Sequence, residues 1–319
     1  MSSQHAGAFA SRSYAPGSDD RLARHRSPLL LSITLALACA ATPLAASAQT
    51  GLRTNGTSQY VTFGAAPSLD TPTFTLECWF MREGAGIGTS TGYGGIDSAI
   101  PLIAKGRAES DGSTVDMNYF LGLRALDGVL VGDFEEGTGQ ASPGLNHPIV
   151  GVTPVQNNVW YHAAATFDGT RWRLYLNGNL ESEIVLSTGH LPQSSSIQHG
   201  SLASALNSSG TAAGFFQGTI DEARVWNHAR AGQAIKDSLS LEIPSAPGLI
   251  GRWALDTISA STTPTTVPGG VAGTVVGGAT TAPGAPFSIT PPPPPPPPGP
   301  AGLRTNGTSQ YVTFGAAPR

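Results

Sequence analysis

Residues Val159 to Leu186 read VWYHAAATFDGTRWRLYLNGNLESEIVL. Three segments of this stretch have the period-two character of β-strands and are separated by turn residues. The first turn is Asp168-Gly169-Thr170, and the second is Asn177-Gly178, a pair that favours the positive φ angles of a tight hairpin. The stretch therefore predicts three consecutive antiparallel strands, at Trp160–Phe167, Arg171–Leu176 and Leu180–Leu186.

The middle of these strands has two different faces. Trp172, Leu174 and Leu176 share the apolar face, which we expect to enter a core. The opposite face then meets water or a ligand. Because sugar-binding surfaces use aromatic rings together with polar groups, we predict ligand contacts from three residues of that face, namely Tyr175, Arg171 and Arg173.

The rest of the chain contains further strand patterns but no sustained helical periodicity. With 40 glycines and 26 prolines, it favours short strands joined by tight turns. One polar segment, Ala229 to Ser238, could form a short helix. The predicted strands are Gln59–Phe63, Phe74–Met81, Tyr119–Leu123, Gly128–Phe134, Gly218–Trp226, Leu249–Leu255 as the closing strand, and Gly273–Val276 at an edge. The fold class is all-β, a two-sheet antiparallel β-sandwich.

The N-terminal segment 1–48 has the features of an export signal. Three arginines precede the 13-residue apolar run Leu29 to Ala41, and Ala46-Ser47-Ala48 is a small-x-small cleavage site. The run is shorter than the roughly 20 residues that span a bilayer, so we expect a secreted protein without membrane insertion after cleavage. The formal net charge of −4 disfavours nucleic acid as a partner.

An exact repeat indicates a tandem arrangement. The sequence GLRTNGTSQYVTFGAAP occupies 51–67 and returns at 302–318. A stiff proline-rich linker, 290–300, precedes the second copy. We therefore expect one domain at 49–289, with a low-complexity tail from 260, and the truncated start of a second domain at 301–319.

Cysteine chemistry contributes little to this chain. Cys39 lies inside the predicted signal, which leaves Cys78 without an intrachain partner. Cys78 sits in the alternating pattern TLECWF and is expected to be a small buried hydrophobic residue.

The order of these segments resembles the laminin-G-like, concanavalin A-like jelly-roll domain of bacterial secreted proteins. The resemblance rests on QYVTF at Gln59, on WYHAAATFDG at Trp160, and on FQGTIDEARVWN at Phe216. It implies two stacked antiparallel sheets, with ligand capture on the concave sheet or its edge loops. Relatives bind glycans or proteins, or hydrolyse β-glucans, and the fold alone does not choose among these activities.

No catalytic constellation is predicted. The β-glucanases that the chain resembles use Glu-x-Asp-x-x-Glu on one strand, whereas Asp133-Phe134-Glu135-Glu136 lacks that spacing. We expect these acids to be exposed in a loop. Among the histidines no pair has zinc-ligand spacing, and His162 is expected to be packed; the others after the signal are His147, His190, His199 and His228.

A structural calcium ion is the one cofactor that the resemblance suggests. Asp221 matches the position of the aspartate that holds calcium in the β-glucanase branch. Its alternative role is a hydrogen bond or ion pair that fixes the N-terminal strand. Gln59 weakens the calcium interpretation, because relatives often carry an acid at that position.

Together, these features predict a non-catalytic, secreted recognition or adhesion module for a glycan or a cell-surface protein. Two alternatives stay open. The chain could be an accessory domain of a secreted phosphoesterase or polysaccharide-degrading enzyme, or a structural spacer in a surface repeat array.

Overall fold

The computed structural model describes residues 49–286; the predicted leader, the proline-rich linker and the second copy of the repeat lie outside them. This part of the chain is built from strands and one short helix, α1 (Gly232–Asp237). The strands are β1 (Thr50–Asn55), β2 (Tyr60–Gly64), β3 (Phe74–Arg82), β4 (Ala99–Lys105), β5 (Tyr119–Arg124), β6 (Leu130–Asp133), β7 (Ile149–Val150), β8 (Trp160–Phe167), β9 (Arg171–Leu176), β10 (Asn179–Val185), β11 (Gly200–Leu202), β12 (Ser204–Leu206), β13 (Ala212–Phe215), β14 (Gln217–Trp226), β15 (Leu249–Trp253), β16 (Thr262–Thr263), β17 (Gly273–Val276) and β18 (Thr280–Pro283).

The strands form two large antiparallel sheets, which confirms the predicted all-β sandwich. Sheet I has the order β10-β9-β8-β3-β14-β1-β18, and β15 also pairs with β14. Sheet II has the order β16-β17-β2-β11-β4-β5-β6-β7. A separate ribbon pairs β12 with β13. Because β1 and β2 lie in different sheets, the segment 51–67 joins the two layers.

The stretch 159–186 folds as its pattern predicts. β8 pairs with β9, and the paired residues run from Ala163 opposite Leu176 to Phe167 opposite Trp172. β9 also pairs with β10, and the turn at Asn177 and Gly178 connects these two strands. Both turn residues have positive φ, 50° and 70°. The predicted strands at Tyr119–Leu123 and Gly128–Phe134 correspond to β5 and β6, which pair as an antiparallel hairpin.

The main core lies between the two sheets. Phe74 is completely buried, and its ring meets Trp172 edge-on, with centroids 5.4 Å apart. Phe63 of sheet II stacks on Trp253 of sheet I at 3.9 Å. Such aromatic pairs contribute about 0.5–1.5 kcal/mol each beyond the area that they bury. Cys78 is free and buried, as predicted.

Each sheet also has a covered outer face. The helix α1 packs on sheet I, where Ile235 joins a cluster with Trp79 and Tyr175. On sheet II a second cluster includes Phe120, Val131 and residues of the β12 ribbon. It also includes residues of segment 84–99, which leads from β3 into the start of β4 and which we call the 84–99 insertion. Within residues 49–286, no helix is long and apolar enough to cross a membrane.

The C-terminal part of the domain differs from the prediction. Leu249 to Trp253 pairs only with β14 and does not close the sandwich. The tail expected to be low in complexity supplies β16, β17 and β18, which extend both sheets. β17 pairs on both sides, with β2 and β16, so it is not an edge strand. Short Thr/Gly/Pro-rich segments can serve as strands here because neighbouring strands supply the ladder bonds.

Candidate functional site

The predicted ligand face on β9 is only partly open. Tyr175 is 7% exposed, because α1 covers its ring. Gly232 permits this close approach: a Cβ there would lie 2.7 Å from the tyrosine Cε1. The expected exposure of Tyr175 to solvent is therefore wrong, and its contact with a ligand stays a prediction.

Of the two arginines of that face, Arg171 is exposed and Arg173 is half-buried, and both are already paired. Arg171 binds the Glu183 carboxylate at 2.8 Å, and Arg173 binds the same group at 2.5 Å. A longer contact of 3.3 Å joins Arg173 to Asp168. These ion pairs neither require nor exclude a ligand, so ligand contact at Arg171 and Arg173 stays a prediction.

Asp221 lies where β14 changes partners from β1 to β15, and it is fully buried. Its Oδ2 accepts a hydrogen bond from the Ala285 N–H at 2.8 Å, while its Oδ1 has no hydrogen-bond partner among residues 49–286. Burial raises the pKa of Asp221 to about 8, and the charges of Glu222 and Asp256 add to the shift. A buried carboxylate with a free oxygen beside two other acids fits a cation, since calcium takes carboxylate and carbonyl oxygens.

The acids that follow β6 are buried, not exposed as predicted. Asp133, Glu135 and Glu136 are each at most 1% exposed. Thr91 of the 84–99 insertion donates to Asp133 at 2.6 Å, and the Met117 N–H donates to Glu135 at the same distance. The 84–99 insertion therefore covers Asp133, and the segment that leads into β5 covers Glu135.

Their surroundings perturb the acids in different ways. Burial raises the pKa of Asp133 to about 7, against the hydrogen bond from Thr91. Burial also raises the pKa of Glu135 to about 9, and the charge of Asp116 adds to the shift. Burial alone would raise the pKa of Glu136, but hydrogen bonds from His190, Ser142 and His147 hold it below its usual value. Glycosidases also perturb carboxyl pKa values, but their acids contact the sugar, whereas these carboxylates are covered.

Residues Gly88 to Gly92 carry the pattern Gly-x-Ser-x-Gly, a motif that the chain was not expected to contain. In hydrolases this pattern forms a sharp strand-to-helix turn that presents the serine. Here it lies in the insertion, where Thr89 bridges to Ala99. The Ser90 hydroxyl accepts a bond from the Gly92 N–H at 3.3 Å and, within residues 49–286, makes no contact with a histidine.

An open groove lies at the end of sheet I, where the chain crosses to sheet II. It has a volume of about 290 Å³. We call it the polar groove, and its lining consists of Arg53, Thr54, Asn55, Gln59, Glu83, Gln217 and Thr280. These residues come from the adjacent ends of β1, β3, β14 and β18 and from the start of β2, so the sheet topology brings them together.

The side chains that line the polar groove present hydrogen-bond donors and acceptors, and several of them are held in place by contacts with neighbouring residues. Arg53 pairs with Glu83 at 2.8 Å and still has 58% of its side chain exposed. The Gln59 amide donates to the Gly277 carbonyl at 3.1 Å. Among the described residues, the Gln217 amide makes no side-chain hydrogen bond, and it packs against Gly84, where a Cβ would lie 2.1 Å from its Oε1.

The sequence offered one signal for this groove. Four of its seven lining residues lie in the seventeen-residue segment that returns at 302–318; they are Arg53, Thr54, Asn55 and Gln59. The predicted ligand residues lie on a strand face, whereas the groove forms at strand ends.

The two antiparallel sheets define a concanavalin A-like β-sandwich. The chain is a member of the laminin-G-like family within the concanavalin A-like lectin/glucanases superfamily, whose sequence profile matches residues 55–236, more than half of the chain. The family prediction is thereby confirmed. No curated protein sequence matches the chain.

Solved structures of similar proteins have low sequence identity. A candidate carbohydrate-binding protein from Bacteroides ovatus is 17% identical, with a TM-score of 0.49 over 73% of this chain; the chain spans 59% of the length of that protein. A pentraxin from Limulus polyphemus is 12% identical, with a TM-score of 0.40 over 60% of this chain and 82% of its own. The CBM40 module of a Ruminococcus gnavus sialidase, bound to α2,3-sialyllactose, is 14% identical, with a TM-score of 0.42 over 60% and 98%.

Proposed function

We propose that this chain is a secreted, non-catalytic recognition module that binds carbohydrate in the polar groove. The observation that carries the proposal is the groove itself, an open space of about 290 Å³ lined only by polar side chains. Its volume is at the lower end of the roughly 300–1,000 Å³ typical of ligand sites, which suits one or two sugar units.

The chemistry of the lining fits a ligand rich in hydroxyl groups. Each sugar hydroxyl both donates and accepts hydrogen bonds, and amides such as that of Gln217 offer both functions in one plane. The Arg53–Glu83 pair places a fixed donor group next to a fixed acceptor group. Because the pair is already formed, less side-chain entropy is lost when a ligand binds.

Export and repetition support the same role. The predicted leader would deliver the module outside the cell, where polysaccharides and cell-surface glycans are available. The second copy of the repeat contains Arg304, Thr305, Asn306 and Gln310 at the positions of the four groove residues of the first copy. In a tandem array, two weak grooves on a stiff linker would bind a polymer with increased avidity.

A glycan array with the full chain, followed by calorimetric titration of the best ligand, tests the proposal. Arg53→Ala and Gln217→Ala should each weaken binding about tenfold, as expected for loss of one or two hydrogen bonds of about 0.5–1.5 kcal/mol. Arg171→Ala is the matched control, because it removes an exposed, ion-paired arginine outside the groove.

Two results would contradict the proposal. One is an absence of binding to any glycan, which would favour a spacer role. The other is loss of glycan binding in Arg171→Ala while Arg53→Ala binds normally, which would place the carbohydrate site on β9 instead of in the polar groove. Near-ultraviolet circular dichroism of each variant confirms that the fold is intact.

We also propose that Asp221 holds a structural calcium ion. The unpartnered Oδ1 and the nearby Asp256, which accepts a bond from the Thr50 N–H at 2.9 Å, support this role. The ion would tie β1 to β14 and replace the proton of the buried carboxyl. Calcium should raise the melting temperature of the wild type relative to EDTA and leave Asp221→Asn unchanged, whereas an equal shift in both proteins would contradict the proposal.

A further inference from the structure

Glu136, His147 and His190 meet beside the end of β6, although they are 11 and 54 residues apart in the chain. Glu136 Oε1 lies 2.6 Å from His147 Nε2 and 2.5 Å from His190 Nδ1. Their ligand atoms all lie within 4.8 Å of one another. The glutamate is completely buried, while the two imidazoles are 11% and 21% exposed, so the cluster has a covered base and an entrance from solvent.

Neighbouring groups fix the orientation of each member. The other carboxylate oxygen of Glu136 accepts the Ser142 N–H at 2.7 Å. His190 Nε2 lies 3.0 Å from the Ser187 hydroxyl, and the His147 ring packs on Phe134 with centroids 4.9 Å apart. Such outer contacts orient metal ligands and keep the coordinating nitrogens directed at one point.

We propose that Glu136, His147 and His190 form a zinc site. Two imidazole nitrogens and one carboxylate oxygen are a ligand set that zinc accepts, whereas calcium and magnesium prefer oxygen ligands alone. Both imidazoles direct a ring nitrogen at the same oxygen, and a divalent cation between these three atoms would take the place of the N–H protons.

The spacing requires an adjustment of the two rings. Zinc bonds of about 2.1 Å in a tetrahedral arrangement separate the ligand atoms by roughly 3.4 Å. The imidazoles would therefore move away from Glu136 by less than about 1 Å, and their coordinating nitrogens, which lie at most 4.8 Å apart, would approach each other by at most about 1.4 Å. This movement is feasible because both histidines lie in connecting segments, outside the strands, and are partly exposed.

Three protein ligands leave a fourth position, which water would occupy on the solvent side. The ion would join the segments 137–148 and 186–199 to the end of β6. Its first expected effect is therefore to stabilise this edge of sheet II. The zinc site shares no residue with the polar groove, so the test of zinc binding does not depend on whether the chain binds carbohydrate.

The test uses the full chain after removal of metals with EDTA. Zinc is titrated in competition with a chromogenic chelator, and cobalt alone is added as a spectroscopic probe. The wild type should bind zinc, and the cobalt form should show the intense visible bands of a four-coordinate site. His147→Asn and His190→Asn should each reduce zinc affinity by more than the roughly 10–100-fold that loss of an outer partner costs.

His199→Asn and His228→Asn serve as controls, because these histidines lie outside the cluster. Their zinc affinity and cobalt spectrum should match the wild type. If Glu136→Gln does not fold, the histidine variants still decide the question, because their rings are partly exposed. Zinc affinity that is unchanged in a His147→Asn/His190→Asn double variant, or no zinc binding by the wild type, would overturn the proposal and leave a hydrogen-bonded clamp without a metal.

Discussion

A buried ion network on the outer side of sheet I allows a quantitative test of the structure. Glu77 of β3 is 1% exposed, and Arg230 Nη1 contacts both oxygens of its carboxylate, at 2.8 and 2.9 Å. The Trp226 indole donates to the same group at 2.8 Å, and Arg224 Nη1 lies 3.6 Å away. Burial alone would raise the pKa of Glu77, but the charges of Arg224 and Arg230 and the Trp226 hydrogen bond hold it below its usual value.

Arg230→Ala should lower the free energy of unfolding by about 3 kcal/mol at pH 7. Removing one partner of a buried ion pair costs about 3–5 kcal/mol, because the other charge stays buried without compensation. The lower end applies here, since Arg224 and Trp226 still contact Glu77. Equilibrium urea unfolding measures the change. Arg124→Ala, which breaks the exposed pair with Asp127 at 2.6 Å, is the matched control and should cost about 0–1 kcal/mol.

The pH dependence has a defined sign. Because the folded-state pKa of Glu77 is lowered, the network stabilises the wild type above the unfolded pKa of about 4.5, and this contribution is lost as the pH falls through the folded value. Loss of Arg230 raises the pKa of Glu77, so the difference between the two proteins should shrink in acid. A cost below about 1 kcal/mol at pH 7, or a difference independent of pH, would refute the reasoning.

Three further predictions concern buried positions. Burial raises the pKa of the Cys78 thiol, so a thiol reagent should label it only after unfolding, and rapid labelling of the folded chain would contradict its placement. Because the folded-state pKa of Asp133 is about 7, its contribution to the free energy of unfolding should fall as the pH rises from about 4 to 7, so the wild type should lose stability relative to Asp133→Asn over this range in a pH series of melts. A Cβ at Gly132 would lie 2.8 Å from the Trp172 ring, so Gly132→Ala should destabilise by about 1–3 kcal/mol in urea, and an unchanged midpoint would show that the ring can shift.

Much of the strand content follows from local pattern. The alternation in β8 and β9 and the Asn177-Gly178 turn place three strands to within a residue or two, because side-chain period and turn dihedrals depend only on neighbouring residues. The same reasoning missed β4, although it lies inside sheet II. All seven of its residues are buried, so no alternation marks it.

Exposure was less predictable than strand position. Tyr175 shares the polar face of β9 with two arginines, yet α1 covers it, and α1 comes 57 residues later in the chain. Asp133 and Glu135 look like loop acids beside a glycine turn, but the 84–99 insertion and the segment before β5 bury them. A local pattern indicates which residues share a face and carries no information about what later covers that face.

The sequence by itself determined the all-β class, the central hairpins and the laminin-G-like family, because these depend on short-range periodicity and on the order of segments. Only the tertiary structure decided which polar groups meet. The polar groove needs the ends of β1, β3, β14 and β18 in register, and Glu136 meets His190 across 54 residues. Sheet order and register fix such encounters, and they are set by the packing of the whole sandwich, which no single segment specifies.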